Sequence, residues 1–206
     1  MKIALIGQGN KSYMPYMDNY INILRECGVN YDIINWDRLC IEEVDELAFR
    51  DNKRVIPRNF LDYVKYGKFV TSKLHEYEYE KAVVFGIALA FFIRKILKNN
   101  YCNRYIFDIR DDHKMRKFPN IKQVIECSYF TVLSSPGYEM WLPKSSKYVI
   151  NHNTTIGSLN ELKKVDVNLF NKNQIVIANI GSIRDYQINI DLVNALKNNK
   201  NIIIKF

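Results

Sequence analysis

Long apolar runs are missing from this sequence. The longest, AVVFGIALAFFI at 82–93, is well short of the ~20 residues that a bilayer-spanning helix needs. The opening MKIALIGQGNKS has neither an apolar stretch of adequate length nor a small-residue cleavage site, so it does not read as a signal peptide. Cysteine is sparse: Cys27, Cys40, Cys102 and Cys127 form no C-x-x-C pair and no cluster with histidine. That argues against a zinc site or a disulfide framework and leaves reduced, buried thiols in a cytosolic protein as the expectation. There is no Walker A sequence, no repeat at solenoid spacing and no low-complexity tract. A dense basic stripe and an aromatic-basic RNA signature are also absent, so nucleic acid is not an expected partner.

What is present is an ordinary globular composition, 48% hydrophobic and 25% charged over 206 residues. That length suits one core, or one domain and part of another. The net charge of +8 admits two readings: anionic partners such as nucleotides, phosphates or an acidic membrane face, or a lysine-rich surface that aids solubility.

Strand-like apolar runs alternate with helix-like segments. KIALIG (2–7), YDIINW (31–36), KAVVFGI (81–87), RYIFDI (104–109), YFTVLS (129–134) and KYVIN (147–151) read as strands. Helices are expected from Pro15 to Cys27, over 41–49, over 59–79 with a weak point at Gly67, over 88–100, over 120–128 and over 136–143. This alternation predicts an α/β, Rossmann-like, doubly wound parallel sheet with helices on both faces. The polar stretch 154–174 breaks the pattern, and β-α-β spacing restarts at IVIANIG. The expected domains are 1–153, a linker at 154–173, and the first β-α-β of a second Rossmann-like unit at 174–206.

In such sheets ligands sit beyond the carboxyl ends of the strands. Three loops there carry chemistry. Gly7 and Gly9 lie in GQGNKS, but Ser12 stands where a dinucleotide fingerprint has its third glycine. NAD or ATP binding is therefore disfavoured, and a backbone approach to a ligand at Gly9, Asn10, Lys11 and Ser12 competes with a simple tight turn. The loop RDDHKMRK (110–117) is the most charged in the chain. Asp111 and His113 are candidates to orient or deprotonate an acceptor hydroxyl, and Arg110 to hold phosphate or lock a neighbouring carboxylate; mutual neutralisation in a solvated loop is the alternative. Asp108, inside its strand, reads equally well as a structural hydrogen-bonding group, His75 as an exposed helix residue and His152 as a loop or capping residue. In GSIRDYQ (181–187), Gly181, Ser182 and Arg184 suit a diphosphate at a helix N-terminus, against an ordinary strand-to-helix turn. FFIRKILKNNYCNR (91–104) could rest on an anionic membrane or be an amphipathic core helix.

Taken in order, KIALIGQGN, FDIRDDH, YFTVLSSPGYEMWL, YVINHN and IANIGSIRDYQINIDLVNAL resemble the GT-B glycosyltransferases, in particular the family 4-like group. The segments match that family's first strand and glycine loop, its Asp/Arg/His-bearing stretch, its strand-Ser-helix segment, its "vipNG" segment with Asn153 at the asparagine, and the "GxlRxxKG" opening of its donor domain. Thr154 departs from the family glycine and Gln187 from its phosphate-contacting lysine; the family's donor-binding glutamate pair would lie beyond Phe206. The resemblance implies an acceptor-side domain followed by the start of a donor-side domain. It implies a hexosyl transfer, retaining in type, from a nucleotide-sugar to a glycan or lipid-linked acceptor in cell-surface polysaccharide synthesis. No metal or other cofactor is expected, and the setting would be the cytoplasm or the inner membrane face. This chain by itself is expected to be inactive. The rival readings are a non-catalytic α/β binding module for an anionic ligand or protein, and a nucleotide-dependent epimerase or dehydrogenase, which the missing third glycine disfavours.

Overall fold

The computed structural model describes residues 1–43, 45–51, 58–153, 175–178 and 186–205. The chain divides into two compact units, Met1–Asn160 and Glu161–Phe206.

In the first unit, β1 (Lys2–Ile6), β2 (Asn30–Trp36), β3 (Ala48–Phe49), β4 (Lys81–Phe85), β5 (Tyr105–Ile109), β6 (Phe130–Leu133) and β7 (Tyr148–Ile150) form one sheet in the order β3-β2-β1-β4-β5-β6-β7. Every neighbouring pair is parallel, with Ile6 beside both Ile34 and Val84, Val84 beside Phe107, and Phe107 beside Thr131. All the strands therefore end on one edge. The chain order reverses between β1 and β4, which makes that point the crevice of a doubly wound sheet.

Alternation along β1 sends Ala4 and Ile6 to one face and Ile3 and Leu5 to the other. The first face packs on α2 (Phe60–Glu76), α3 (Ile87–Asn100) and α4 (Asn120–Cys127), with Trp36, Tyr66, Phe107 and Leu89 fully enclosed. The second packs on α1 (Met17–Glu26) through Met17 and Ile21. Most apolar side chains of α3 from Ile87 to Leu97 lie in the core, with Phe92 partly buried, as an amphipathic core helix requires. Among the described residues no helix is long and apolar enough to cross a membrane.

Gly67, a weak point for a helix in isolation, has a packing reason. A Cβ there would lie 3.1 Å from Phe92 Cβ, so its absence lets α2 approach α3 closely. The start of α2 is fixed by a capping box: Asn59 Oδ1 accepts from Asp62 N at 3.0 Å, and Asp62 Oδ2 accepts from Asn59 N at 2.9 Å. Asn59→Ala is expected to cost about 1 kcal/mol, measured as a lowered urea midpoint with unchanged slope.

Three expectations are corrected. Residues 41–49 are not a helix: the segment ends in the edge strand β3, because the Asp37 carboxylate takes the N–H groups of Ile41 and Glu42, and Asp45 takes that of Leu47. Residues 136–143 give only a 3-10 turn over Pro136–Met140. The cysteines are not buried: Cys27, Cys40 and Cys102 are exposed.

In the second unit β8 (Ile175–Ala178) and β9 (Ile202–Lys205) pair in parallel around α5 (Tyr186–Leu196), forming a sheet of their own. The stretch expected as a linker lies outside the described residues.

Candidate functional site

The carboxyl edge of the seven-stranded sheet gathers the loops singled out in the sequence. After β1, Gly7 N donates to Ile34 O at 2.9 Å, and Met14 lies so close that a Cβ at Gly7 would collide with its side chain. Gly9 has open space around its Cα, and Lys11 and Ser12 are exposed. Asn10 is different. It is 2% exposed, its Nδ2 donates to Asp37 Oδ1 at 2.5 Å, and its Oδ1 accepts from Arg38 N at 3.1 Å. It fastens the first loop to the end of β2, so its side chain is committed to the protein. Lys11 is held by its backbone N–H, which donates to Glu42 Oε1 at 2.5 Å.

Asp37 is the hub of that fastening. Burial alone would raise its pKa, but donors from Asn10, Ile41 N, Arg50 and Glu42 N outweigh burial and hold it below the usual carboxylate value. Arg50 Nε lies 2.7 Å from Asp37 Oδ2.

After β5, Arg110 is 4% exposed. Its Nε and Nη2 form a fork on Asp108 at 2.5 and 2.7 Å, and its Nη1 donates to Asn151 O at 2.8 Å and Asn153 Oδ1 at 2.9 Å. Tyr20 OH donates to Asp108 Oδ2 at 2.5 Å, and the guanidinium lies over the Tyr16 ring at 5.2 Å. Of the two roles expected for Arg110, the geometry fits locking a carboxylate. Burial pushes the Asp108 pKa up while Arg110 and Tyr20 oppose it, and the Tyr16 phenol is raised to about 12 by burial and by Asp108 and Asp111.

This arrangement carries the next residues into place. Asp111 is exposed at the edge. Asp112 is turned away into an ion pair with Arg116 at 2.5 Å. His113 caps the following 3-10 turn: its Nδ1 accepts from Met115 N at 3.2 Å. A neutral ring that accepts at Nδ1 carries its proton on Nε2, so it presents a donor. Burial and then Lys114 lower the His113 pKa against the opposing pull of Asp112. With Nδ1 held by Met115 N, the neutral ring offers Nε2–H to a neighbour.

After β6, Ser135 caps a 3-10 turn, and Tyr138 OH donates to Arg110 O at 2.6 Å. After β7, His152 Nδ1 lies 3.1 Å from Ser134 O, in keeping with a loop-fixing role. His75 is exposed on α2. Gly181, Ser182 and Arg184 lie outside the described residues. No group of three or more potential metal ligands occurs among the described residues.

The sequence reading missed Arg38. It sits just beyond β2 with its guanidinium 4.3 Å from the Trp36 ring centre, and its Nη2 donates to Tyr63 OH at 3.1 Å. The His113 ring lies 6.3 Å from the Tyr63 ring, so Tyr63 stands beside both groups. The signal in the sequence was NWDR, a strand ending in Asp-Arg at the ligand-binding edge.

No protein-family model matches the sequence, and no curated protein matches it. Solved structures do. Sucrose-phosphate synthase from Thermosynechococcus elongatus matches with a TM-score of 0.60 and 12% identity over 99% of this chain and 61% of its own. Acinetobacter baumannii MurG matches with a TM-score of 0.55 and 10% identity over 99% of this chain and 57% of its own. S. aureus MnaA, in a co-structure with UDP, matches with a TM-score of 0.53 and 12% identity over 99% of this chain and 62% of its own. The chain thus spans 57 to 62% of the length of these structures. At such identities the likeness shows the fold, an α/β Rossmann-like arrangement of the GT-B kind.

Proposed function

We propose that the GT-B fold of this chain belongs to a glycosyltransferase and that Met1–Asn160 is its acceptor-side unit. The observation that carries this reading is the likeness over 99% of the chain to sucrose-phosphate synthase, MurG and UDP-bound MnaA. The sheet's carboxyl edge supplies a place for the chemistry. The donor is a nucleotide-sugar and the acceptor a glycan or lipid-linked saccharide, as the sequence resemblance implies. The stereochemistry that goes with that resemblance is retention, and the setting is the cytoplasm or the inner face of the membrane, in polysaccharide synthesis. Residues 174–206 begin the donor side, with Gly181, Ser182 and Arg184 on the donor phosphates.

Within the edge, Gly9, Lys11 and Ser12 offer an open loop to the acceptor, while Asn10 and Arg110 hold their loops in place. His113 donates Nε2–H to an oxygen of substrate, and Asp111 remains to take a proton or balance charge. The test is release of nucleoside diphosphate by the complete polypeptide, across a panel of nucleotide-sugars with saccharide acceptors present. Release with none of them counts against a transferase.

His113→Ala in that polypeptide is expected to lower kcat/KM by about 10- to 100-fold, the worth of one strong hydrogen bond, with His113→Gln keeping more activity. The pH sign follows from the lowered pKa. The capping bond needs the neutral ring, so its stabilisation is complete above the ordinary value of 6.5 and is lost as pH falls through the lower folded value. Wild type should therefore lose stability on acidification below about pH 6.5 more steeply than His113→Gln.

A further inference from the structure

Arg38 stands apart from the other arginines near it. Arg50, Arg58, Arg110 and Arg116 each meet a carboxylate, at Asp37, Asp51, Asp108 and Asp112. Arg38 meets none among the described residues, and its Nε is buried without a hydrogen-bond partner. Burying part of a guanidinium and leaving a donor unused costs free energy. Here the cost accompanies strict positioning. The Arg38 N–H donates to Trp36 O at 2.9 Å and to Asn10 Oδ1 at 3.1 Å, and its carbonyl accepts from Arg58 Nη2 at 3.0 Å. The guanidinium then lies against Trp36 at 4.3 Å and Tyr63 at 5.4 Å, which favours the cation without neutralising it.

The surroundings are aromatic. Tyr63 meets Trp36 edge-on at 5.3 Å and stacks on Phe92 at 5.5 Å, and Phe92 meets Phe60, which is 58% exposed, at 4.9 Å. A preorganised, unneutralised fork beside aromatic rings, at the edge where a parallel sheet takes its ligand, has the chemistry to bind an oxyanion carried on a sugar. The net charge of +8 agrees with an anionic ligand.

We propose that Arg38 binds the phosphate or carboxylate of an anionic sugar at the acceptor side of the site. This deepens the transferase reading and rests on it for the word acceptor; the binding itself needs no second substrate. The sugar ring lies against Tyr63 and Phe60, and its oxyanion takes hydrogens of Nη1 and the Nη2 hydrogen not given to Tyr63, the buried Nε being out of reach.

The protein has two tryptophans, and Trp36 lies under Arg38. In a Trp141→Phe background the emission of Trp36 is a direct readout. Titration at low salt with glucose 6-phosphate and with glucuronate should give a saturable change with at least one of them, and the stronger of the two identifies the oxyanion. Glucose should give none. Arg38→Gln should weaken binding by about 10-fold or more, as loss of a charge-assisted bond does. Arg38→Lys keeps the charge but loses the fork, and should fall between; it serves as the folded comparison if the glutamine variant unfolds.

Equal binding of glucose, affinity unchanged in both variants, or no binding of either anion overturns the proposal. Arg38-dependent binding together with a complete polypeptide that releases no nucleoside diphosphate would leave this site standing and remove the transferase.

Discussion

Asp108→Ala should destabilise the principal unfolding transition by about 3–5 kcal/mol, the loss expected when a buried ion pair is broken from one side. Both partners are inside: Asp108 is 0% and Arg110 4% exposed. Alanine leaves the Arg110 guanidinium in a low-dielectric site with only Asn151 O and Asn153 Oδ1 as acceptors, and leaves Tyr20 OH without its carboxylate. The sign of the effect does not require the pair to be a net stabiliser. An ion pair and a well-packed apolar pair can be nearly equivalent, whereas half a pair is costly. The combined variant Asp108→Leu with Arg110→Met should therefore be more stable than Asp108→Ala, although it changes more atoms. Urea denaturation of the three proteins decides it. A loss below about 1 kcal/mol for the alanine variant would mean the pair behaves as an exposed one.

Gly86→Val should cost on the order of 3 kcal/mol, from backbone strain and overpacking together. Gly86 links β4 to α3 with φ +96 and ψ 145, a region that residues with a side chain rarely enter. The backbone cannot swing away, because Gly86 N donates to Asp108 O at 2.9 Å and Gly86 O accepts from Ala90 N at 3.2 Å. A Cβ would also strike the Gln8 amide, which has to swing aside. Thermal melting measures the strain. A valine variant within about 0.5 kcal/mol of wild type would show that the turn relaxes without cost.

The sheet was legible because parallel strands covered on both sides must be apolar throughout, and KIALI, KAVVF and FTVL are. The segment IEEVDELAF was not, because helical spacing is a local signal and the groups that unmake the helix are not all local. The Asp37 carboxylate takes two of its N–H groups and is itself fixed by Asn10, 27 residues upstream. Arg110 illustrates a half-read signal. Its charge and position marked it as a candidate, but residues two apart in extended chain share a face, and FDIR thereby sets Asp108 and Arg110 side by side. The role of His113 depended on which ring nitrogen is occupied, and only the position of Met115 N shows that. Arg38 is not marked by any motif, and nothing local in the sequence tells which arginine Asp37 pairs with. In the fold the acid pairs with Arg50 and the base is left over.

The Arg110 guanidinium holds Asn151 and Asn153, beyond the last strand of the seven-stranded sheet, while its own carbonyl accepts from Tyr138. Replacing Asn153 with alanine would therefore free an Nη1 hydrogen of the same arginine that stands three residues before His113.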